Sequence, residues 1–136
     1  MANYPITDIE GIGDVYGEKL RAAEITDTDG LLAACATRKG RATLAERTGI
    51  SGSLLLTWAN MADLYRIDGV GRQFAELLHA SGVDTVAELK GRNAGNLASR
   101  MLEVNAEQNR TKVVPNESQL AAWIEQAKSL PAVIEH

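Results

Sequence analysis

The chain has 136 residues, of which 45% are hydrophobic but only 4% aromatic, so its core has to be built from Leu, Ile, Val and Ala, which favours packed helices over a sheet sandwich. A formal net charge of -4, from 14 Lys and Arg against 18 Asp and Glu, excludes a protein that coats nucleic acid with a broadly basic surface and leaves only a local basic face. Cys35 is the single cysteine, which excludes an internal disulfide, a zinc knuckle and an iron–sulfur site.

A reducing, cytoplasmic setting follows as the expectation. No long apolar run and no basic start followed by a hydrophobic stretch is present, so neither a membrane span nor a signal peptide is expected.

In chain order, Met1 to Pro5 is expected to be a loosely held end. Thr7 is expected to cap the first helical pattern, in which Val15, Tyr16, Leu20 and Ala23 fall three or four apart and predict one buried stripe. Asp27 starts the next helix. Leu44 to Arg47 continues the helical pattern to a short turn around Gly49, after which Ser53 opens a longer helix carrying Leu54, Leu55, Trp58, Met61, Ala62 and Tyr65.

The pattern then begins again. Ile9 to Ala22 lies over Ile67 to Ala80 without a gap, Leu44-Ala45-Glu46-Arg47 lies over Leu97-Ala98-Ser99-Arg100, and Leu55 and Trp58 lie over Leu120 and Trp123. Phe74, Leu77, Leu78 and Ala80 form the second copy's stripe, Asp84, Asn93 and Ser118 are its expected caps, Asn109 to Asn116 is its loop, and Pro131 stops its last helix. Ala132 to His136 is expected to be loose. The fold class expected is all-α: two repeats, 6–65 and 66–130, related by pseudo-twofold symmetry within one compact domain, 1–136.

Gly11-Ile12-Gly13 and Gly69-Val70-Gly71 are the most informative residues. Each opens an amphipathic helix, and two glycines around one aliphatic residue let the backbone turn tightly while Ile12 or Val70 enters the core. Gly17 and Ala75 let the following helix approach its partner closely. This layout resembles the helix-hairpin-helix motif. The resemblance implies that hairpin amides and the helix start hold a nucleic-acid phosphate, and that hairpin carbonyls admit a monovalent cation. From the residues themselves, no other cofactor and no metal site is expected. Such amides suit an anion, although a Gly-aliphatic-Gly turn also serves as a plain helix connector.

The two copies differ where a phosphate would sit. Asp14-Val15 follows the first hairpin and repels an anion, whereas Arg72-Gln73 follows the second. The expected phosphate site is therefore Gly69, Val70, Gly71, Arg72 and Gln73, assisted by Lys90, Arg92 and Arg100, with Gly11, Ile12 and Gly13 as a secondary hairpin. Leu64 to Gly71, Gly82 to Leu89, Leu102-Glu103-Val104-Asn105 and Trp123 to Lys128 together look like a bacterial family known as domain of unknown function 4332. That resemblance covers nearly the whole chain. Relatives described as flap-endonuclease-like carry that description on fold alone, which does not establish activity.

The remaining constellations read as structural. Leu44 to Trp58 resembles a helix-turn-helix, but Ser51 to Thr57 lacks the Arg, Lys, Asn or Gln that reaches base edges. Arg38, Lys39, Arg41 and Arg47 form a basic cluster in the first half that either faces an anion or lies on a solvated helix face. Carboxylates are scattered, Asp27-Thr28-Asp29 being the nearest to a cluster; His79 and His136 have no evident catalytic partner, Lys19 aligns with Leu77, and Cys35 reads as a small core residue. The expectation is a non-enzymatic module that binds DNA or RNA backbone weakly through the second hairpin. The alternative is a protein-interaction or self-assembly module that uses the hairpins only as connectors, with a structure-specific nuclease ranked behind both and no membrane partner.

Overall fold

The computed structural model describes residues 3–109 and 111–136, so Arg110, in the expected loop, and Met1 and Ala2, in the expected loose start, lie outside the described residues. Eight α-helices form among the described residues, in the order α1 Asp14–Ala22, α2 Thr28–Cys35, α3 Arg38–Thr48, α4 Gly52–Leu64, α5 Arg72–Ala80, α6 Val86–Leu89, α7 Ala94–Gln108 and α8 Glu117–Ser129. The chain is all-helical. A single 3-10 turn, Ile6–Asp8, precedes α1, and an isolated antiparallel bridge joins Pro5 to Asp27. The helices gather into two compact units, residues 3–63 with Val133–His136, and Leu64–Ala132.

In the first unit the entry to α1 is a tight turn: Ile12 N–H donates to the Ile9 carbonyl at 3.2 Å, and Gly11 takes the left-handed φ of +92° that the third residue of a type II turn requires. Asp27 caps α2 by accepting from Gly30 N–H at 2.7 Å, and Thr37 caps α3 by accepting from Gly40 N–H at 2.9 Å. Gly40 permits a very close approach. A β-carbon there would stand 2.4 Å from the Ala34 carbonyl oxygen, so α3 can start against the end of α2 only with glycine at this position. Gly49, left-handed at φ +73°, ends α3, and Ser51 accepts from Leu54 N–H at 3.2 Å to start α4. Leu20, Leu31, Leu44, Ile50, Leu55 and Trp58 make the buried core.

Within the ends expected to be loose, Asn3, Tyr4 and Glu135 are tied down in this unit. Asn3 Oδ1 accepts from the Thr28 hydroxyl and Asp29 N–H, and Tyr4 N–H donates to Thr28 Oγ1. At the other end Glu135 N–H donates to the Ala36 carbonyl at 2.6 Å, while its own carbonyl accepts from Arg41 Nη2 at 2.7 Å. Arg41 is buried, and its Nη1 also serves the carbonyls of Cys35 and Ala36 at the end of α2. It therefore leaves the expected basic surface cluster and becomes a helix C-cap, because the last carbonyls of α2 have no partner within their own helix.

In the second unit Val70 N–H donates to the Ile67 carbonyl at 3.1 Å across Gly69, left-handed at φ +94°. Thr85 caps α6, Asn93 caps α7, and Asn116 forms a reciprocal capping box with Gln119 at the start of α8. Helix α8 packs against α7 and α6, and α5 packs against α7. The Asn105 side chain holds the loop after α7, accepting from Thr111 N–H and donating to its carbonyl.

Four expected caps shift. Thr7 lies within the 3-10 turn, and Ser51, Thr85 and Asn116 replace Ser53, Asp84 and Ser118. The larger correction is Val15, placed in the buried stripe of α1 by its spacing but 68% exposed.

Candidate nucleic-acid interface

Each hairpin is built on a tryptophan. A β-carbon on Gly69 would stand 3.2 Å from Trp123 Nε1, and one on Gly11 would stand 3.3 Å from Trp58 Nε1. The first aromatic residue of the following helix completes each arrangement: Phe74 lies tilted on Trp123 with ring centroids 5.4 Å apart, and Tyr16 meets Trp58 edge-on at 5.2 Å. In the second unit Gln126, on α8, also clamps the hairpin backbone, accepting from Asp68 N–H at 3.0 Å and donating to the Asp68 carbonyl at 3.4 Å. These supports fix the turn from behind.

The two glycines of a hairpin do different things. Gly69 is demanded by its positive φ and its tryptophan. Gly71 has a φ of -97°, which any residue adopts, and apart from its chain neighbours nothing lies within 4 Å of where its β-carbon would be. Gly13 is equally unconstrained at φ -85°. As N-cap of α5, Gly71 brings no side chain to the first-turn amides. Gly69, Gly71, Arg72, Gln73 and Phe74 line a surface recess of about 370 Å³. Val70 beneath is fully buried, and Arg72 and Gln73 are exposed.

The structure thus groups Gly69, Gly71, Arg72 and Gln73 around one recess with Val70 as its anchor. It does not bring Lys90, Arg92 or Arg100 to the recess lining. Lys90 Nζ donates to the Leu130 carbonyl at 3.2 Å, Arg92 Nη1 reaches toward Gly82, and Arg100 pairs with Glu103 at 3.4 Å. In the secondary hairpin Gly11 and Gly13 are exposed and Ile12 is buried, with Asp14 and Val15 exposed at the start of α1.

Sequence reading missed Thr111, whose hydroxyl donates to Gln73 Oε1 at 3.4 Å, and the supporting role of Gln126. The pairing of Trp58 with Trp123 in the repeat was the one signal for the shared support; Gln126 has no polar counterpart in the first copy.

Elsewhere, His79 Nδ1 lies 2.7 Å from Asp84 Oδ1 on the surface, and His136 Nε2 lies 3.3 Å from Asn60 Oδ1. Cys35 is buried, and burial pushes its thiol up to about 11 against the opposing pull of the Arg41 charge. Among the described residues no group of three or more His, Cys, Asp or Glu is placed to hold a metal ion, and no helix is long and apolar enough to cross a membrane.

Fold and site together define an all-helical protein in which a glycine turn, seated on a buried tryptophan, introduces the leading helix of each unit. The chain belongs to the family described as Domain of unknown function (DUF4332), whose model matches residues 10–130 and so takes in both Gly-aliphatic-Gly turns. No curated protein and no solved structure matches it.

Proposed function

We propose that each unit is a helix-hairpin-helix and that the second hairpin binds the phosphate backbone of DNA or RNA, weakly and without base preference, in a protein that is not an enzyme. The observation that carries this reading is Gly71: the fold requires no glycine there, and its bareness keeps the first-turn amides of α5 open to a ligand beside Arg72 and Gln73. Those amides carry the partial positive charge of a helix start and suit a phosphate oxygen. The net charge of -4 limits the strength of such binding and makes it strongly salt-dependent.

A fluorescence titration with short duplex, forked and single-stranded DNA at two salt concentrations tests it. Binding at low salt that falls steeply at higher salt is expected, with Arg72→Glu weakening all three. The absence of binding at low salt refutes it.

A second reading, protein interaction or self-assembly, is favoured by one specific observation. Val15 at 68% exposed and Leu102 at 60% exposed are large apolar side chains turned to solvent on helices that bury, in α1, Leu20 and, in α7, Leu97, Met101 and Val104.

A further inference from the structure

The first unit carries a groove and a knob of opposite character. The groove, about 410 Å³, runs beside α3. Its floor is apolar, formed by Ala23, Ile25 and Leu44, and one wall is the stripe Lys39, Thr43 and Arg47. Those three residues are four apart along α3, so they share a face and set the two cations about 12 Å apart along the axis. No acidic residue lines the groove, and neither Lys39 nor Arg47 has an ion-pair partner among the described residues. The other two basic residues in this stretch are not part of it: Arg41 is turned inward onto carbonyls, and Arg38 donates from its side chain to the His136 carbonyl.

The knob is at the start of α1. Asp14 and Glu18, four apart on one face, stand to one side of the exposed Val15, and neither carboxylate has an ion-pair partner among the described residues. The basic residues of α1 are confined to its last turn, where Lys19 sits over the Tyr16 ring at 5.9 Å and the Arg21 guanidinium lies alongside Gly17. Asp14 and Val15 stand where the second repeat has Arg72 and Gln73. The start of α1 thus exposes an apolar side chain beside two carboxylates, a pattern that serves neither the core nor a phosphate.

We propose that the chain associates with itself head to tail, the Asp14, Val15 and Glu18 face of one copy entering the Lys39 to Arg47 groove of the next. Val15 leaves water against Ile25 and Leu44, and the carboxylates meet the two cations. Nucleic-acid backbone fits this groove less well, because a phosphate chain gains nothing from an apolar floor. The contact is heterologous, so it propagates from copy to copy rather than closing as a symmetric dimer. One valine and two exposed ion pairs make a small interface, so association is weak and screened by salt. This deepens the self-assembly reading and stands apart from the hairpin's phosphate chemistry, which lies in the other unit.

Sedimentation equilibrium on the full chain, without nucleic acid, tests it at low and high salt over about 10 μM to 1 mM. At low salt the weight-average mass is expected to rise continuously, roughly doubling from 14.6 kDa when the concentration reaches the dissociation constant, and to fall back with salt. The double variant Lys39→Glu/Arg47→Glu and the triple variant Asp14→Asn/Val15→Ser/Glu18→Gln each stay monomeric, with unchanged helical circular dichroism. Mixed, they form a dimer and stop there, because only one intact groove and one intact knob remain. A wild-type chain that stays monomeric overturns the proposal, as does association that persists in either variant or a mixture that does not pair. A monomeric wild type whose Arg47 side-chain resonances shift only with an added acidic peptide, or only with added duplex DNA, assigns the groove to that other occupant and likewise overturns self-association.

Discussion

Trp123 Nε1 lies 3.2 Å from the point a β-carbon on Gly69 would occupy, and Trp58 stands to Gly11 in the same relation at 3.3 Å. Two requirements therefore fall on one residue, a left-handed backbone and a bare face against an indole. Gly69→Ala is expected to destabilise the protein by at least about 1–2 kcal/mol, the cost of placing an L side chain in the left-handed region before any crowding of the tryptophan is counted. Urea denaturation monitored by tryptophan fluorescence reads this directly.

Gly71 predicts the opposite behaviour. An Asp there is a strong N-cap and complements the positive end of α5, so Gly71→Asp is expected to leave stability unchanged or raise it by up to about 1 kcal/mol. The same carboxylate occupies the first-turn amides and repels phosphate, so the proposed nucleic-acid binding is expected to be lost. A variant that binds DNA as well as wild type does, measured in the same low-salt titration, refutes the site.

Glu24 holds φ +68° without being glycine, while Gly82, the residue aligned with it in the repeat, holds φ +93°. Substituting Glu24→Gly removes left-handed strain and adds some unfolded-chain entropy; the first outweighs the second, so a gain of roughly 0.5–1 kcal/mol is expected. A lower denaturation midpoint contradicts this.

Arg41 donates to the carbonyls of Cys35, Ala36 and Glu135 from a buried position. Arg41→Ala removes the buried donor that these carbonyls share and is expected to cost about 2–4 kcal/mol. It also frees the terminal segment, which amide hydrogen exchange at Glu135 detects as lost protection. Retained protection there shows that Arg41 is not the clasp.

Cys35 gives a pH prediction. Its folded pKa is raised from 9.0 to about 11, so the folded state holds the proton more tightly than the unfolded chain does. The stabilisation is complete below about pH 9 and is lost as pH rises from there through about 11. Cys35→Ala is expected to flatten that part of the stability profile. In the folded protein a thiol reagent at pH 8 leaves Cys35 unmodified, and urea exposes it.

Helix content and the hairpin glycines were legible because they are local matters. Apolar spacing specifies a buried stripe, and a glycine pair before a helix specifies a turn, whatever the rest of the chain does. Spacing misplaced Val15 because a pattern cannot say how wide the covered face of α1 is. It left Arg41 among the surface cations because the carbonyls that hold it come from the end of α2 and from Glu135, far along the chain. Lys90, Arg92 and Arg100 cluster in sequence, yet Lys90 and Arg100 are held by Leu130 and Glu103, and none of the three lines the recess.

Local sequence is enough to make this protein helical, to repeat a Gly-aliphatic-Gly turn and to give the two turns opposite charge at Asp14 and Arg72. Tertiary structure alone decided what each glycine is for. Gly11 and Gly69 are held to glycine by tryptophans from later helices, and Gly13 and Gly71 face open space. The physical reason is that φ preference is a property of one residue and its neighbours, whereas steric need depends on atoms the folded chain brings in from a distance.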